Sequence, residues 1–324
     1  MSKRQIKSSS AQGLRPPNIT KNGGDTIQNY HKHTCCSNIY TPDSPATYEQ
    51  YAKRAVELNQ KILCSLEHGW QGKYHECRET AIKYGLKFIF GTEAYWVKDR
   101  HEKDKQNCHI VLLAKNENGR ESINDVLSTA NEDGYYYRPR LDEELLFSLP
   151  QNDVFVTSAC VAFWQYEPEY VDDLVLKLHN YFKDNFMLEI QAHNTDKQKR
   201  LNARILELSK KYGIQMIVGL DSHYIYPEQA IERDELLAAS NTHYDDEDGW
   251  YMDYPDEVTV RKRFAEQGII SADEVDKAIK NTDLICDFED YQSEVFETNR
   301  KLPSIYPDKT PDEKFHIYNK LISK

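Results

Sequence analysis

The stretch "IQNYHKHTCCSN" sets His31 and His33 one residue apart at the end of a run with strand character. Side chains two apart on a strand point to the same face, so the two imidazoles project together and can share one metal ion. Neutral imidazole is the commonest protein metal ligand, but an ion needs further donors. The chain offers them at the ends of other apolar runs. "KILCSLEHG" ends near His68, "KFIFGTEAYW" carries Glu93, "DVFVTSAC" ends in Cys160, "FMLEIQAH" in His193, and "QMIVGLDSH" in Asp221 and His223. His109 opens "HIVLLAK", and Asp43 stands in "YTPDSP", the loop after the first run. Each has an ordinary explanation when taken singly. Together, nine of them (His31, His33, Asp43, His68, Glu93, His109, Cys160, Asp221, His223) imply a cluster able to hold two or three divalent ions with a bridging carboxylate. Imidazole suits zinc, manganese or iron, and the single thiolate biases a site toward zinc. Closely spaced divalent ions activate a water and clamp the attacking and leaving oxygens of a phosphate ester, so hydrolysis of such esters is the reaction this donor set serves.

Those donors have to be brought to one place by the fold. Seven short β-rich runs, "TIQNYHKH" and the six others quoted above, alternate with amphipathic stretches that have recognisable ends. Ser44 is placed to cap a first helix with Pro45 at its first position, Gly85 closes the helix in "YHECRETAIKYG", and Gly213 closes the one over "NTDKQKRLNARILELSKKYG". Alternating strand and helix predicts an α/β fold with a mainly parallel sheet, and seven strands can close into a barrel whose mouth collects the strand ends. One connection differs. Only "KDRHEKDKQNC" separates the Glu93 run from the His109 run, too short and polar for a packed crossover helix, so these two strands are expected to form an antiparallel hairpin. That hairpin carries His109 to the same mouth.

The 324 residues suffice for one large domain or two small ones, and a formal net charge of −12 argues against a protein that coats nucleic acid with a basic surface. Bound cations would then have to supply positive charge locally. No run reaches the ~20 apolar residues of a membrane span, and no secretory leader is evident, which points to the cytoplasm. Seven cysteines without C-x-x-C spacing read as reduced thiols. Residues 1–26 read as a disordered, mildly basic arm. Near the mouth, "YYYRPR" sets Tyr137 and its neighbours beside Arg138 and Arg140, able to stack a base and pair with a phosphate, and His193 could donate to a phosphate or support a ligand. The charges at the hairpin tip, Lys98, Arg100, Lys103 and Lys105, read as a solvated loop.

The order His-x-His, Asp, His-Gly, Gly-x-Glu, His before an apolar strand, Cys and Asp-x-His resembles the polymerase and histidinol phosphatase (PHP) family. "HIVLLAKNENGRESINDVLSTA", "GYYYRPRLDEELL", "VTSACVA", "FMLEIQAHN" and "DSHYIYPEQAIERDELL" are similar to the PHP domain at the N-terminus of bacterial and phage DNA polymerase III alpha subunits. The resemblance implies a distorted seven-stranded (β/α) barrel over residues 27–290 and a trinuclear metal site. Carried over by motif, His31, His33, Glu93 and Asp221 hold one ion and are the catalytic set. Glu93 is shared with a second ion completed by His109 and Cys160, while Asp43, His68 and His223 take the third. Glu67 stands where the family usually has an aspartate before His68. The implied activity is removal of nucleotides from the 3′ end of DNA, with single-stranded DNA and replication proteins as partners. Residues 291–324 resemble the connector and first helix leading into a polymerase palm, with a short helical extension expected. Without that palm the chain would not polymerise DNA. Two other readings stay open: a structural module of a split polymerase docking on a separate palm chain, and a small-molecule phosphatase.

Overall fold

The computed structural model describes residues 26–242, 244, 249–289, 306 and 308–322. The expected N-terminal arm, apart from its last residue, lies outside them, as does most of the expected connector before the last helix. The strands are β1 (Ile62–Ser65), β2 (Lys87–Trp96), β3 (Cys108–Ala114), β4 (Tyr135–Tyr136), β5 (Arg138–Leu141), β6 (Val154–Thr157), β7 (Phe186–Ile190) and β8 (Met216–Val218). Around them run α1 (Tyr48–Glu57), α2 (Tyr74–Tyr84), α3 (Glu117–Glu132), α4 (Glu143–Ser148), α5 (Pro168–Phe182), α6 (Asp196–Tyr212), α7 (Ala230–Ala239), α8 (Glu257–Gln267) and α9 (Ala272–Asn281), with α10 (Pro311–Ile322) last. This is the expected α/β class.

The sheet runs in the order β4-β5-β2-β3-β6-β7-β8, with β1 beside the first half of β2. Alternation along each strand shows how it curls. Phe88, Phe90, Ile110, Leu112, Val154, Val156, Leu188 and Ile190 pack in the large core that also takes in the helices. Their strand neighbours Ile89, Val111, Leu113, Phe155, Met187 and Ile217 meet Tyr30, Ile62 and Cys64 in a second core on the inner face. Strands buried on both faces read as nearly continuous apolar runs, which is why these were conspicuous in the sequence. By the same period of two, Glu93, His109, Thr157 and Glu189 fall on the inner side of their strands.

The expected hairpin is present: β2 and β3 pair antiparallel from Gly91↔Leu113 to Trp96↔Cys108. β3 is also antiparallel to β6, and β4 to β5, while the other six strands share one direction, so the sheet is mainly parallel as expected. Two expectations need correction. The run over 26–33 forms no ladder strand. It makes one parallel bridge, Lys32↔Ser222, with His33 N–H donating to Ser222 O at 2.8 Å. On its other side it meets side chains instead of a strand: Asn29 N–H donates to Gln60 Oε1 at 2.9 Å, and Lys61 N–H to Gln28 Oε1 at 2.8 Å. The barrel is therefore distorted at this seam. Ser44 does not cap α1, because its hydroxyl lies between the carbonyls of His33 (2.7 Å) and His223 (2.8 Å). The cap is Thr47, in a reciprocal box with Gln50. The closures at Gly85 and Gly213 are as expected, both left-handed with φ of 68° and 72°.

Candidate metal centre

Each donor reaches the mouth by a local device. Glu93 lies on the inner face of β2, and His109 sits one register step away opposite Tyr95. His68 follows β1 and bridges to Glu93. Asp221 follows β8 with φ of 48°, and Ala159 precedes Cys160 with φ of 45°, both in the left-handed region that turns a chain abruptly at a strand end. Ser44 ties the His33 and His223 backbones together, which brings the first and last ligand segments into register.

The resulting geometry is dense. Glu93 Oε1 lies 3.2 Å from His31 Nε2 and 3.1 Å from His109 Nδ1, and its Oε2 lies 2.7 Å from His68 Nδ1 and 3.4 Å from His33 Nε2. Asp221 Oδ1 is 3.4 Å from His31 Nε2 and 3.2 Å from His33 Nε2. Cys160 Sγ is 3.4 Å from His109 Nδ1, and Asp43 Oδ2 is 3.5 Å from His223 Nε2. The His33 and His68 rings stack with centroids 3.8 Å apart. All nine expected donors thus lie within a chain of mutual contacts at the barrel mouth, and Asp43, His68, His109, Cys160, Asp221 and His223 line a cavity of about 480 Å³ there.

Several atoms of the donor set are left without partners by the protein itself. His31 Nε2, His33 Nε2, Glu93 Oε1, Asp221 Oδ1 and Asp43 Oδ1 are buried and have no hydrogen-bond partner. Buried polar atoms are nearly always paired, so five orphans converging on one place leave a role for a divalent cation. Three overlapping triads, His31/His33/Asp221, His33/His68/His223 and His68/Glu93/His109, each have ligand atoms within 4.8 Å of one another. The two central carboxylates are held in their ionised form. Burial alone would raise the carboxyls of Glu93 and Asp221, yet the facing imidazoles, His109 first for Glu93 and His31 first for Asp221, hold both below the ordinary range. Burial, then the charge of His68, pushes His33 down to about 3, so its ring is neutral and fit to ligate.

Two buried acids that the sequence reading did not assign to the site support it from behind. Glu189 accepts from Tyr30 and lies 2.7 Å from His31 Nδ1. Glu67 accepts from Thr34, Ser37 and Tyr48 beneath the His33 loop. The signal that could have found Glu189 is an acid at an inward position of the apolar strand "FMLEI".

A family model for the PHP domain matches residues 29–193, half of the chain. The chain belongs to the PHP domain family. DNA polymerase III subunit alpha of Thermus aquaticus is 30% identical over 263 residues, covering 74% of this chain and 21% of that protein. The Aquifex aeolicus protein of the same name is 29% identical over 224 residues, covering 64% and 19%. The chain therefore spans about a fifth of the length of these relatives. A solved structure described as a putative metal-dependent phosphoesterase from Bifidobacterium adolescentis aligns with a TM-score of 0.40 and 15% identity, covering 64% of this chain and 89% of that one.

The other expected site residues are placed apart from one another on this PHP domain. Arg138 is on the cavity wall: its guanidinium donates to Tyr40 O (3.2 Å) and Thr41 Oγ1 (3.3 Å) and faces the Tyr40 and Tyr95 rings. Arg140 is not at the mouth. It is 2% exposed, and it donates to the carbonyls of Gly134, Glu102, Asp104 and Arg100, which commits it to holding the 97–107 hairpin connection against β5. Arg100 is likewise no solvated tip residue, because it is buried and pairs with Asp142 at 2.7 Å and Glu144 at 2.8 Å. Tyr137 stands 62% exposed, with Lys105 over its ring. His193 lies behind the mouth, accepting from Tyr251 N–H at 3.0 Å and packed on Trp250. No helix among the described residues is long and apolar enough to cross a membrane.

Proposed function

We propose that the barrel mouth is a multi-ion phosphoesterase centre that hydrolyses the terminal phosphodiester at the 3′ end of DNA. The observation that carries the proposal is the convergence of the orphaned buried donors His31 Nε2, His33 Nε2, Glu93 Oε1 and Asp221 Oδ1. In this reading those four residues hold one ion. Glu93 is shared with a second ion completed by His109 and Cys160, and Asp43, His68 and His223 hold the third. Divalent ions bound there supply Lewis acidity and an activated water for in-line displacement.

The chain's own groups do the rest. Arg138, preset by Tyr40 and Thr41, takes a strand phosphate beside the ions, with Lys105 on the same wall. A cavity of about 480 Å³ suits a single unpaired nucleotide better than a duplex. Likeness to polymerase alpha subunits supports DNA as the substrate and replication proteins as partners in the cytoplasm. The test is release of nucleotides from 3′-labelled single-stranded DNA by the purified chain with manganese or zinc. His31→Ala and Asp221→Ala should abolish that release, and undiminished activity in both would reject the proposal.

A second reading, a module docking on a separate palm-bearing chain, is favoured by α10, whose Phe315, Leu321 and Ile322 are exposed. It predicts co-purification with such a chain and is compatible with catalysis.

A further inference from the structure

Binding at this centre requires His31 and His33 each to offer an Nε2 lone pair, and an isolated imidazole can place its proton on either nitrogen. We infer that two buried carboxylates, Glu189 and Glu67, lock both rings as Nδ1–H tautomers, each seated in space kept open by a glycine, and thereby act as positioning residues. The inference rests on the metal-centre reading above.

Glu189 acts directly. Its Oε1 lies 2.7 Å from His31 Nδ1 and accepts from Gln191 Nε2 at 2.8 Å, while its Oε2 accepts from Tyr30 OH at 2.7 Å and Thr157 Oγ1 at 2.9 Å. A carboxylate ringed by donors only accepts, so the proton sits on His31 Nδ1 and Nε2 is left to face Glu93 and Asp221. Gly219 makes the room. A Cβ there would fall 1.9 Å from Glu189 Oε1 and 2.2 Å from its Cδ, and the Gly219 backbone is outside the left-handed region. Space, not conformation, is what demands glycine at this position.

Glu67 acts through Ser37. The Ser37 hydroxyl donates to Glu67 Oε2 at 2.5 Å, accepts from His68 N–H at 3.2 Å, and stands 3.2 Å from His33 Nδ1. Its single proton is committed to Glu67, so toward His33 it can only accept, and the His33 proton is again on Nδ1. Glu67 is held by Thr34 N–H, Thr34 Oγ1 and Tyr48 OH. A Cβ at Gly72 would lie 2.5 Å from Glu67 Cγ and 2.9 Å from Tyr48 OH. That Cγ is the methylene by which Glu67 exceeds the aspartate of the family pattern, so Gly72 accommodates the longer acid. Carboxylates behind metal-bound imidazoles also raise their basicity as ligands.

The experiment uses the full chain labelled with ¹⁵N-histidine. Long-range ¹H–¹⁵N spectra of chelator-treated protein report each ring's tautomer, and competition with a chromophoric chelator reports zinc affinity. The wild type should show Nδ1–H patterns for both rings. Glu189→Gln and Gly219→Ala should disturb the His31 pattern and weaken zinc about 10- to 100-fold, and Ser37→Ala should do the same through His33. Adding Glu189→Asp to Gly219→Ala shortens the acid and should recover part of the loss, which a general packing defect would not. Wild-type tautomer patterns and wild-type zinc affinity in both Glu189→Gln and Ser37→Ala would overturn the inference. If Glu189→Gln does not fold, Ser37→Ala decides it through His33. A wild-type chain that takes up no zinc sinks the metal-centre reading itself, whereas variants that bind zinc as well as the wild type sink only the tautomer lock.

Discussion

Stripping and restoring divalent ions should change the stability of this domain by an amount the site itself sets. Four buried atoms, His31 Nε2, His33 Nε2, Glu93 Oε1 and Asp221 Oδ1, have no hydrogen-bond partner. Each such group costs about 1–3 kcal/mol when left unsatisfied, so the ion-free state carries a penalty of several kcal/mol that ligation relieves. An ion at about 100 times its Kd adds about 2.7 kcal/mol by linkage. For a domain of this size 1 kcal/mol corresponds to roughly 2–4 °C, so zinc or manganese should raise the unfolding temperature by about 5–10 °C. Asp221→Asn removes one charged donor of the four and should cut the gain to below about 2 °C, because a neutral amide is a poor ligand in a site built on carboxylate charge. Arg138→Ala, outside the donor set, should keep the full gain. The assay is calorimetric or fluorescence-detected melting of chelator-treated protein at neutral pH, with and without ion. A wild type that gains nothing, or an Asp221→Asn variant that gains as much as the wild type, would refute the assignment of these atoms to a cation.

Arg138→Ala should raise KM for single-stranded DNA about tenfold with little change in zinc affinity, read from steady-state kinetics beside chelator competition; equal loss of both would mean that Arg138 supports the metal centre instead. Arg140→Ala breaks four hydrogen bonds to carbonyls and should cost about 2–4 kcal/mol in urea unfolding, whereas a solvent-exposed phosphate-binding arginine would cost almost nothing. Burial first, against the pull of Asp221, lowers His193 from the ordinary 6.5 to about 4. A lowered histidine contributes stability that is complete above pH 6.5 and lost as pH falls toward 4, at most about 3 kcal/mol. His193→Gln, which keeps an acceptor for Tyr251 N–H, should flatten the pH–stability slope in that window, and an unchanged slope would assign it to other groups.

How far the sequence carried the fold can be read from particular elements. The helix ends at Gly85 and Gly213 and the hairpin joining Glu93 to His109 were legible because glycine conformation and connection length are local quantities. Ser44 misled for a reason equally physical. It has the chemistry of a cap, but tertiary contacts with His33 and His223 claimed its hydroxyl first. The first run looks like a strand by composition, yet across the seam it is joined through the side chains of Gln60 and of its own Gln28 rather than by a ladder. Arg140 reads as a cation near the mouth and Arg100 as a solvated tip residue because charge is visible in a sequence and burial is not.

The types and order of the metal-binding candidates, from His31 to His223, were determined by the sequence itself, since imidazole, carboxylate and thiolate declare their chemistry wherever they sit. Only the tertiary structure decided that these donors gather in overlapping groups at one mouth, that Glu189 stands behind His31 from 158 residues away, and that Gly219 leaves it room. Periodicity reports which face of its own element a side chain occupies. Contacts between distant elements depend on how the sheet curls and closes, which is a property of the whole packed chain.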